Sequence, residues 1–170
     1  AADLVIINSH FKKKQVMKRD WKKWYHPKNG YMNVTKNILL YPWLWFPGFY
    51  NQHVSNNFLK STFEKVWEEE YEALHETCLH KFRKNGDVNQ WVMKYWQLAD
   101  GKFNVRRGDF AFCYHVKNKN FRRLCEDLKN PEHSIVCIND NAKTDDFEEK
   151  KQTIVDIFEA KFPEKSSFEK

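Results

Sequence analysis

Ser134-Ile135-Val136-Cys137-Ile138-Asn139-Asp140-Asn141 is the stretch on which the fold turns. Its apolar run is rich in β-branched residues, too short for a helix, preceded by Pro131 and closed by a polar triplet, which predicts a buried strand ending in a turn. Upstream, Phe121, Leu124, Cys125 and Leu128 recur at helical spacing, and Phe110 to Val116 reads as another strand. Downstream, Asp145 is expected to open a last helix with Phe147, Ile154, Ile157, Phe158 and Phe162 facing inward, closed by Pro163. The expected class is α/β, mainly helical with a few strands.

Further towards the N-terminus the spacing favours helices. Leu59, Phe63, Val66, Trp67, Tyr71 and Leu74 fall on one face of a continuous helix. Val88, Trp91, Val92, Tyr95 and Leu98 continue at that spacing to Gly101, with Asp87 and Gln90 placed as a capping box. Leu4 to Ile7 reads as a short strand, and Ser9 as the cap of a basic helix reaching Tyr25. Asn33 is positioned to cap a short helix over Val34 to Leu40, which Pro42 ends. No repeat or low-complexity linker divides the chain, so one incomplete domain is expected, with parts at 1–50, 51–105 and 106–170.

Composition narrows the function classes. Hydrophobic residues make up 41% and aromatics 16% of 170 residues, which argues for a packed core over disorder. No run approaches the roughly 20 apolar residues that span a bilayer. The four cysteines, Cys78, Cys113, Cys125 and Cys137, form no C-x-x-C pair, so buried thiols in a reducing compartment are expected. The net charge of +6 is concentrated early, where Lys12, Lys13, Lys14, Lys18, Arg19, Lys22, Lys23, Lys28 and Lys36 face only Asp3 and Asp20 in the first fifty residues. Such a field draws polyanions, whether phosphorylated substrate, nucleic acid or anionic lipid.

With five glycines and no phosphate-cradling glycine loop, any phosphate must be held by side chains and a metal. His75 and His80 are five apart and so do not form a helical zinc pair. Polar clusters lie at Asn51-Gln52-His53, at His80-Lys-Phe-Arg83-Lys-Asn-Gly-Asp87 and at Asn139-Asp140-Asn141. Taken singly, each also reads as ordinary loop and turn chemistry, and Asp87 as a cap. Arg83 offers a planar fork for phosphate oxygens, with Asp87 as its orienting partner. The aromatic run Trp43-Leu-Trp-Phe-Pro-Gly-Phe49 suits a packed loop, a sugar-contacting surface or a membrane interface.

Three stretches together resemble conserved regions three and four of the Stealth proteins: His53-Val-Ser-Asn-Asn-Phe-Leu-Lys60, Glu76 to Gln90 with its His-Lys-x-Arg and aspartate, and Ile135 to Asn141 followed by Phe162 to Glu169. The resemblance implies the C-terminal half of a Rossmann-like transferase domain, expected to be inactive without its N-terminal half. It implies transfer of hexose-1-phosphate from a nucleotide sugar of the UDP-hexose type to a saccharide hydroxyl, in capsule or surface polysaccharide synthesis.

By the same resemblance His53 is the base or a phosphate ligand, and Arg83 grips the pyrophosphate. Asp140 with Asn139 holds Mg²⁺ or orients the base, while Asp87 and Lys60 assist substrate binding. A cytoplasmic protein, peripheral at the inner membrane face, is expected, with an anionic membrane surface as a further partner. The rival is a basic nucleic-acid-binding or membrane-binding module without catalysis. Nucleic acid is disfavoured because the remaining 120 residues carry no excess positive charge.

Overall fold

The computed structural model describes residues 2–51, 55–105, 110–116, 118–140 and 146–168. His53, Gln52, Asn141 and Asp145, all named above, lie outside them. The described chain is mostly helical with a small two-stranded parallel sheet. Its internal contacts group it into two compact units, one formed by residues 1–51 and 56–107, the other by 52–55 and 108–170.

The first unit is helical: α1 (Ala2–His10), α2 (Lys13–Arg19), α3 (Trp21–Trp24), α4 (Tyr31–Leu39), α5 (Lys60–Glu69), α6 (Tyr71–Leu79) and α7 (Trp91–Ala99). Its centre is α7, whose Val92, Met93, Tyr95, Trp96 and Ala99 are buried while α1 and α5 pack against it. Trp96 meets the edge of Phe11 at 5.1 Å between centroids and tilts against His10 at 4.6 Å, and Tyr95 stacks on Phe49 at 4.5 Å. Trp96 heads the largest fully buried side chains, so Trp96→Ala would leave the largest cavity a single truncation can make in this core. Gly101 closes α7 at φ +75, where a Cβ would stand 2.6 Å from an Asp20 carboxylate oxygen.

Five local readings change here, the first being Asn33, which caps no helix but sits inside α4, begun at Tyr31 behind Gly30. Leu4 to Ile7 belongs to a helix, not a strand, because a four-residue apolar run suits either and its Ile6 and Ile7 pack into the helical core. Ser9 is consequently no cap; it sits inside α1 with its hydroxyl donating to the Ile6 carbonyl. The basic helix expected to Tyr25 is broken at Asp20 into α2 and α3. The long helix from Leu59 is likewise interrupted at Glu70, which ends α5 behind an acidic run, Glu68 to Glu70, unfavourable at the negative end of a helix. Glu70 instead meets His10 at 2.5 Å, and Leu59 and Tyr71 are left exposed on the face expected to be buried.

The aromatic run divides. Phe46 is buried and Phe49 half-buried against the core, whereas Trp43, Leu44 and Trp45 are exposed. The Lys13 ammonium, itself buried, donates to the carbonyls of Leu40 and Trp43 and pins this loop to α2. Burial lowers the Lys13 pKa, with Lys14 adding to the effect.

The second unit contains β1 (Ala111–His115), α8 (Asn118–Lys129), β2 (Ile135–Asn139) and α9 (Phe147–Lys161). The strands pair in parallel, Ala111 opposite Ile135 through His115 opposite Asn139, with α8 as the crossover between them. Tyr114, Val116, Leu124, Leu128 and Ile157 form its core. Ile157 turns inward as expected, but Phe158 and Phe162 are exposed. The last helix starts after Asp146, without a side-chain cap.

Candidate functional site

Two places carry the polar side chains singled out by the sequence, one in each unit. In the helical unit, α6 ends at Leu79 and the chain crosses to α7 through residues 80–90. Asp87 closes this loop: His80 Nδ1 lies 2.8 Å from its Oδ1, and the Lys84 amide donates to its Oδ2 at 2.6 Å. The amide hydrogen bond, with His80 adding to it, holds the Asp87 carboxyl below the usual carboxylate range. His80 is bracketed from its other ring nitrogen by Glu76 at 3.3 Å. The Thr77 hydroxyl accepts from the Val88 amide, so the loop is tied to α6 at both ends.

Asp87 was expected to cap the next helix with Gln90, or to orient Arg83. It does not cap α7, which begins at Trp91 behind Gln90 with no side-chain cap; its two oxygens are engaged by His80 and Lys84, which closes the loop that carries Arg83. Arg83 is exposed on the closed loop, with no carboxylate partner among the described residues. A guanidinium held on a fixed loop and left without a counter-ion suits phosphate oxygens. Lys60 opens α5 with its side chain 90% exposed and 3.4 Å from Glu64, a surface ion pair.

Residues that flank His53 in sequence are fastened to α7. Asn51 donates to the Tyr95 hydroxyl at 2.5 Å, and the Leu59 amide donates to Gln97 at 2.9 Å. Lys94 donates to Asn56, and its ammonium lies 5.0 Å from the Trp91 ring centroid. Burial lowers the Lys94 pKa, and Lys94 is a second basic side chain that sequence reading passed over. Its only sequence signal is its place on the face of a strongly apolar helix.

In the second unit Asn139 ends β2 and Asp140 follows it, exposed, at the carboxyl end of the parallel pair. Ligands of α/β proteins bind at that end of a sheet. The register sets His115 of β1 opposite Asn139, and the Val116 amide donates to the Asn139 carbonyl at 3.0 Å. His115 is thus a candidate that the sequence did not single out, because only the pairing brings it beside Asn139. Among the described residues no three His, Cys, Asp or Glu side chains come together as a metal cluster.

Behind this edge lies a buried network. Asp127 accepts from the Tyr114 hydroxyl at 2.9 Å and from the Glu132 and His133 amides at 2.7 and 3.3 Å. Its Oδ2 lies 2.5 Å from His133 Nδ1. Burial pushes the Asp127 carboxyl up, but His133, the two amides and Tyr114 together hold it below the usual range. Burial and the same carboxylate raise the Tyr114 pKa.

Comparison with known proteins agrees with this organisation. Residues 127–170, which begin at the buried aspartate, match Stealth protein CR4, conserved region 4. Along its length the chain is similar to a capsular polysaccharide phosphotransferase, WcwK, of Streptococcus pneumoniae, 40% identical over 168 residues, or 99% of this chain and 50% of the relative. It is 33% identical over 171 residues to the exopolysaccharide phosphotransferase cps2G of Lactiplantibacillus plantarum, covering 100% of this chain and 50% of that one. The receptor polysaccharide phosphotransferase WefC of Streptococcus gordonii is 32% identical over 169 residues, 98% of this chain and 49% of its own. The chain therefore spans about half the length of the curated relatives it matches. No solved structure matches. Conserved region 4 of the Stealth proteins is thus matched within the strand and helix unit, and the chain as a whole is similar to one half of these polysaccharide phosphotransferases.

Proposed function

We propose that this chain supplies the phosphate-gripping part of a hexose-1-phosphate transferase acting in capsule or surface polysaccharide synthesis. Its likeness to polysaccharide phosphotransferases supports the reaction class. The observation that carries the site is Arg83, a guanidinium with no carboxylate partner among the described residues, on a loop closed by Asp87 and His80. The donor would be a nucleotide sugar of the UDP-hexose type and the acceptor a saccharide hydroxyl. The parallel crossover of β1, α8 and β2 is what a portion of a Rossmann-like sheet would contain, and the remainder of such a domain would come from the part of the enzyme that this chain does not span.

In this reaction the acceptor oxygen bonds to the β-phosphorus, the bond from that phosphorus to the bridging oxygen breaks, and UMP leaves. The acceptor proton passes to a base, which the family resemblance assigns to His53. Arg83 would hold two pyrophosphate oxygens in its fork and neutralise charge as it develops. His80 and Asp87 act through Arg83 by fixing its loop.

Asp140, with Asn139 beside it, suits a share of a Mg²⁺ site, since Mg²⁺ is commonly held by one or two carboxylates with substrate phosphate and water completing its shell. When bound, that ion would offset pyrophosphate charge. All four cysteines are free thiols, which supports a reducing, cytoplasmic setting. Among the described residues no helix is long and apolar enough to cross a membrane.

The test uses the complete enzyme that contains this chain, assayed with UDP-hexoses, Mg²⁺ and saccharide acceptors. Acceptor-dependent release of UMP is expected, falling by about 100-fold or more in Arg83→Ala and in Asp140→Asn while the fold is retained. Release of UDP would identify glycosyl transfer instead, and unchanged turnover in both variants would remove the site.

A further inference from the structure

We propose that the basic, aromatic surface of the helical unit docks on an anionic lipid bilayer, independently of how the phosphotransfer reading fares. The surface is built from α2, α3, α4 and the loop after α4. Met17, Lys18, Trp21, Tyr25, Ile38 and Tyr41 line an apolar pocket of about 370 Å³. Helix α4 has no buried residue at all, and its Tyr31, Met32, Ile38 and Leu39 are 85%, 69%, 58% and 70% exposed. Leu44 is 66% exposed in the following loop, with Trp43 and Trp45 beside it, their rings 6.2 Å apart.

The charges around this surface choose its occupant. Asp3 is buried on the Asn89 amide, and Asp20 is paired with Arg19. Lys13 and Lys23 are committed to backbone carbonyls. Lys12, Lys14, Lys18, Lys22, Lys28 and Lys36 remain exposed, with no carboxylate partner among the described residues. Lys14 and Lys18 stand one helical turn apart on α2, Lys18 reaches the pocket, and Lys22 lies 5.9 Å from the Trp21 ring centroid. Met32, Lys36 and Leu39 share one face of α4 by spacing.

Cations and aliphatic chains interleaved in this way match a membrane interface, where headgroup charge meets the ammonium groups and the acyl boundary takes the apolar side chains. Tryptophan and tyrosine prefer that boundary. A carbohydrate or nucleic acid would use the rings and the lysines but offers nothing to Met32, Ile38, Leu39 and Leu44. A second copy of the chain would bring like charges together.

The test is flotation of the whole 170-residue chain with phosphatidylglycerol-rich vesicles and with pure phosphatidylcholine vesicles, at low and high salt. Binding to the anionic vesicles alone, weakened by salt, is expected, together with a blue shift of tryptophan emission. Reversal of Lys14, Lys18 and Lys22 to Glu should weaken partition by about tenfold or more. Leu39→Ser with Leu44→Ser should weaken it too, without touching a charge, a buried residue or a tryptophan. Absence of binding, equal binding to both vesicle types, or binding unaltered by both sets of changes would overturn the proposal. So would a concentration-dependent dimer that the same changes dissolve.

Discussion

Two histidine–aspartate pairs, one in each unit, use the same chemistry in opposite settings. His133 and Asp127 have side chains 6% and 2% exposed, and Asp127 also takes a tyrosine hydroxyl and two backbone amides. His80 and Asp87 are 16% and 7% exposed, and their pair closes a surface loop that carries an arginine with no carboxylate partner among the described residues. The first pair joins the end of α8 to the chain entering β2 and to β1, so it is a core staple. The second closes only a loop, and under the proposed function what depends on it is the aim of Arg83. Identical side chains can thus hold a core together in one place and close a surface loop in another, depending on what else the carboxylate must hold.

The contrast breaks most visibly at Asp127. Asp127→Ala leaves His133, Tyr114 and two amides without their acceptor at a largely buried position, and should cost roughly 3 kcal/mol. All seven tryptophans lie in the helical unit, so emission reports that unit while circular dichroism reports both. Urea unfolding followed both ways should show an early transition in dichroism and little change in fluorescence. Coincident shifts in both signals would mean that the staple serves the whole chain.

A smaller effect, on turnover, is expected from the other pair. In the complete enzyme Asp87→Asn should reduce UMP release by about 10–100-fold through the loop that presents Arg83. Because a merely structural role would lower stability without altering substrate dependence, the split between KM and kcat is informative. A raised KM that His80→Gln reproduces, with an unshifted unfolding midpoint, would sharpen the contrast; full activity in both variants would erase it.

The mildest probe is acid. Both aspartates have folded pKa values below the unfolded value of about 3.9, so the stability they contribute is present above that value and is lost as pH falls through the folded ones. Dichroism-monitored stability should therefore fall below about pH 4 in the parent and show a flatter acid limb in Asp127→Ala. An equally steep limb in that variant would assign the acid sensitivity to other carboxylates.

Much of this architecture was legible before the structure. The β2 strand is set by Ile135 to Ile138, although Ile135 is exposed and the rest half-buried, and the apolar face of α7 by the spacing of Val92 and Tyr95, which are buried, with Trp91 and Leu98 half-buried beside them. What was not legible depends on partners distant in sequence. The break at Glu70 involves His10, the helical state of Leu4 to Ile7 rests on packing with the helical core, and His115 gains its place through register with Asn139. Arg83 stood out as a phosphate-gripping type of residue, but the role of Asp87 could be read only once His80 and the Lys84 amide were seen on its two oxygens.

The tight end of α7 has a consequence for the gene. At Gly101 the backbone is left-handed and the space beyond the α-carbon is filled by the Asp20 carboxylate and the Arg19 guanidinium. Every missense change of that codon installs a β-carbon on a left-handed backbone and displaces the ends of the Asp20 and Arg19 side chains, so drift at this position should be slower than at neighbouring surface codons such as that of Lys102.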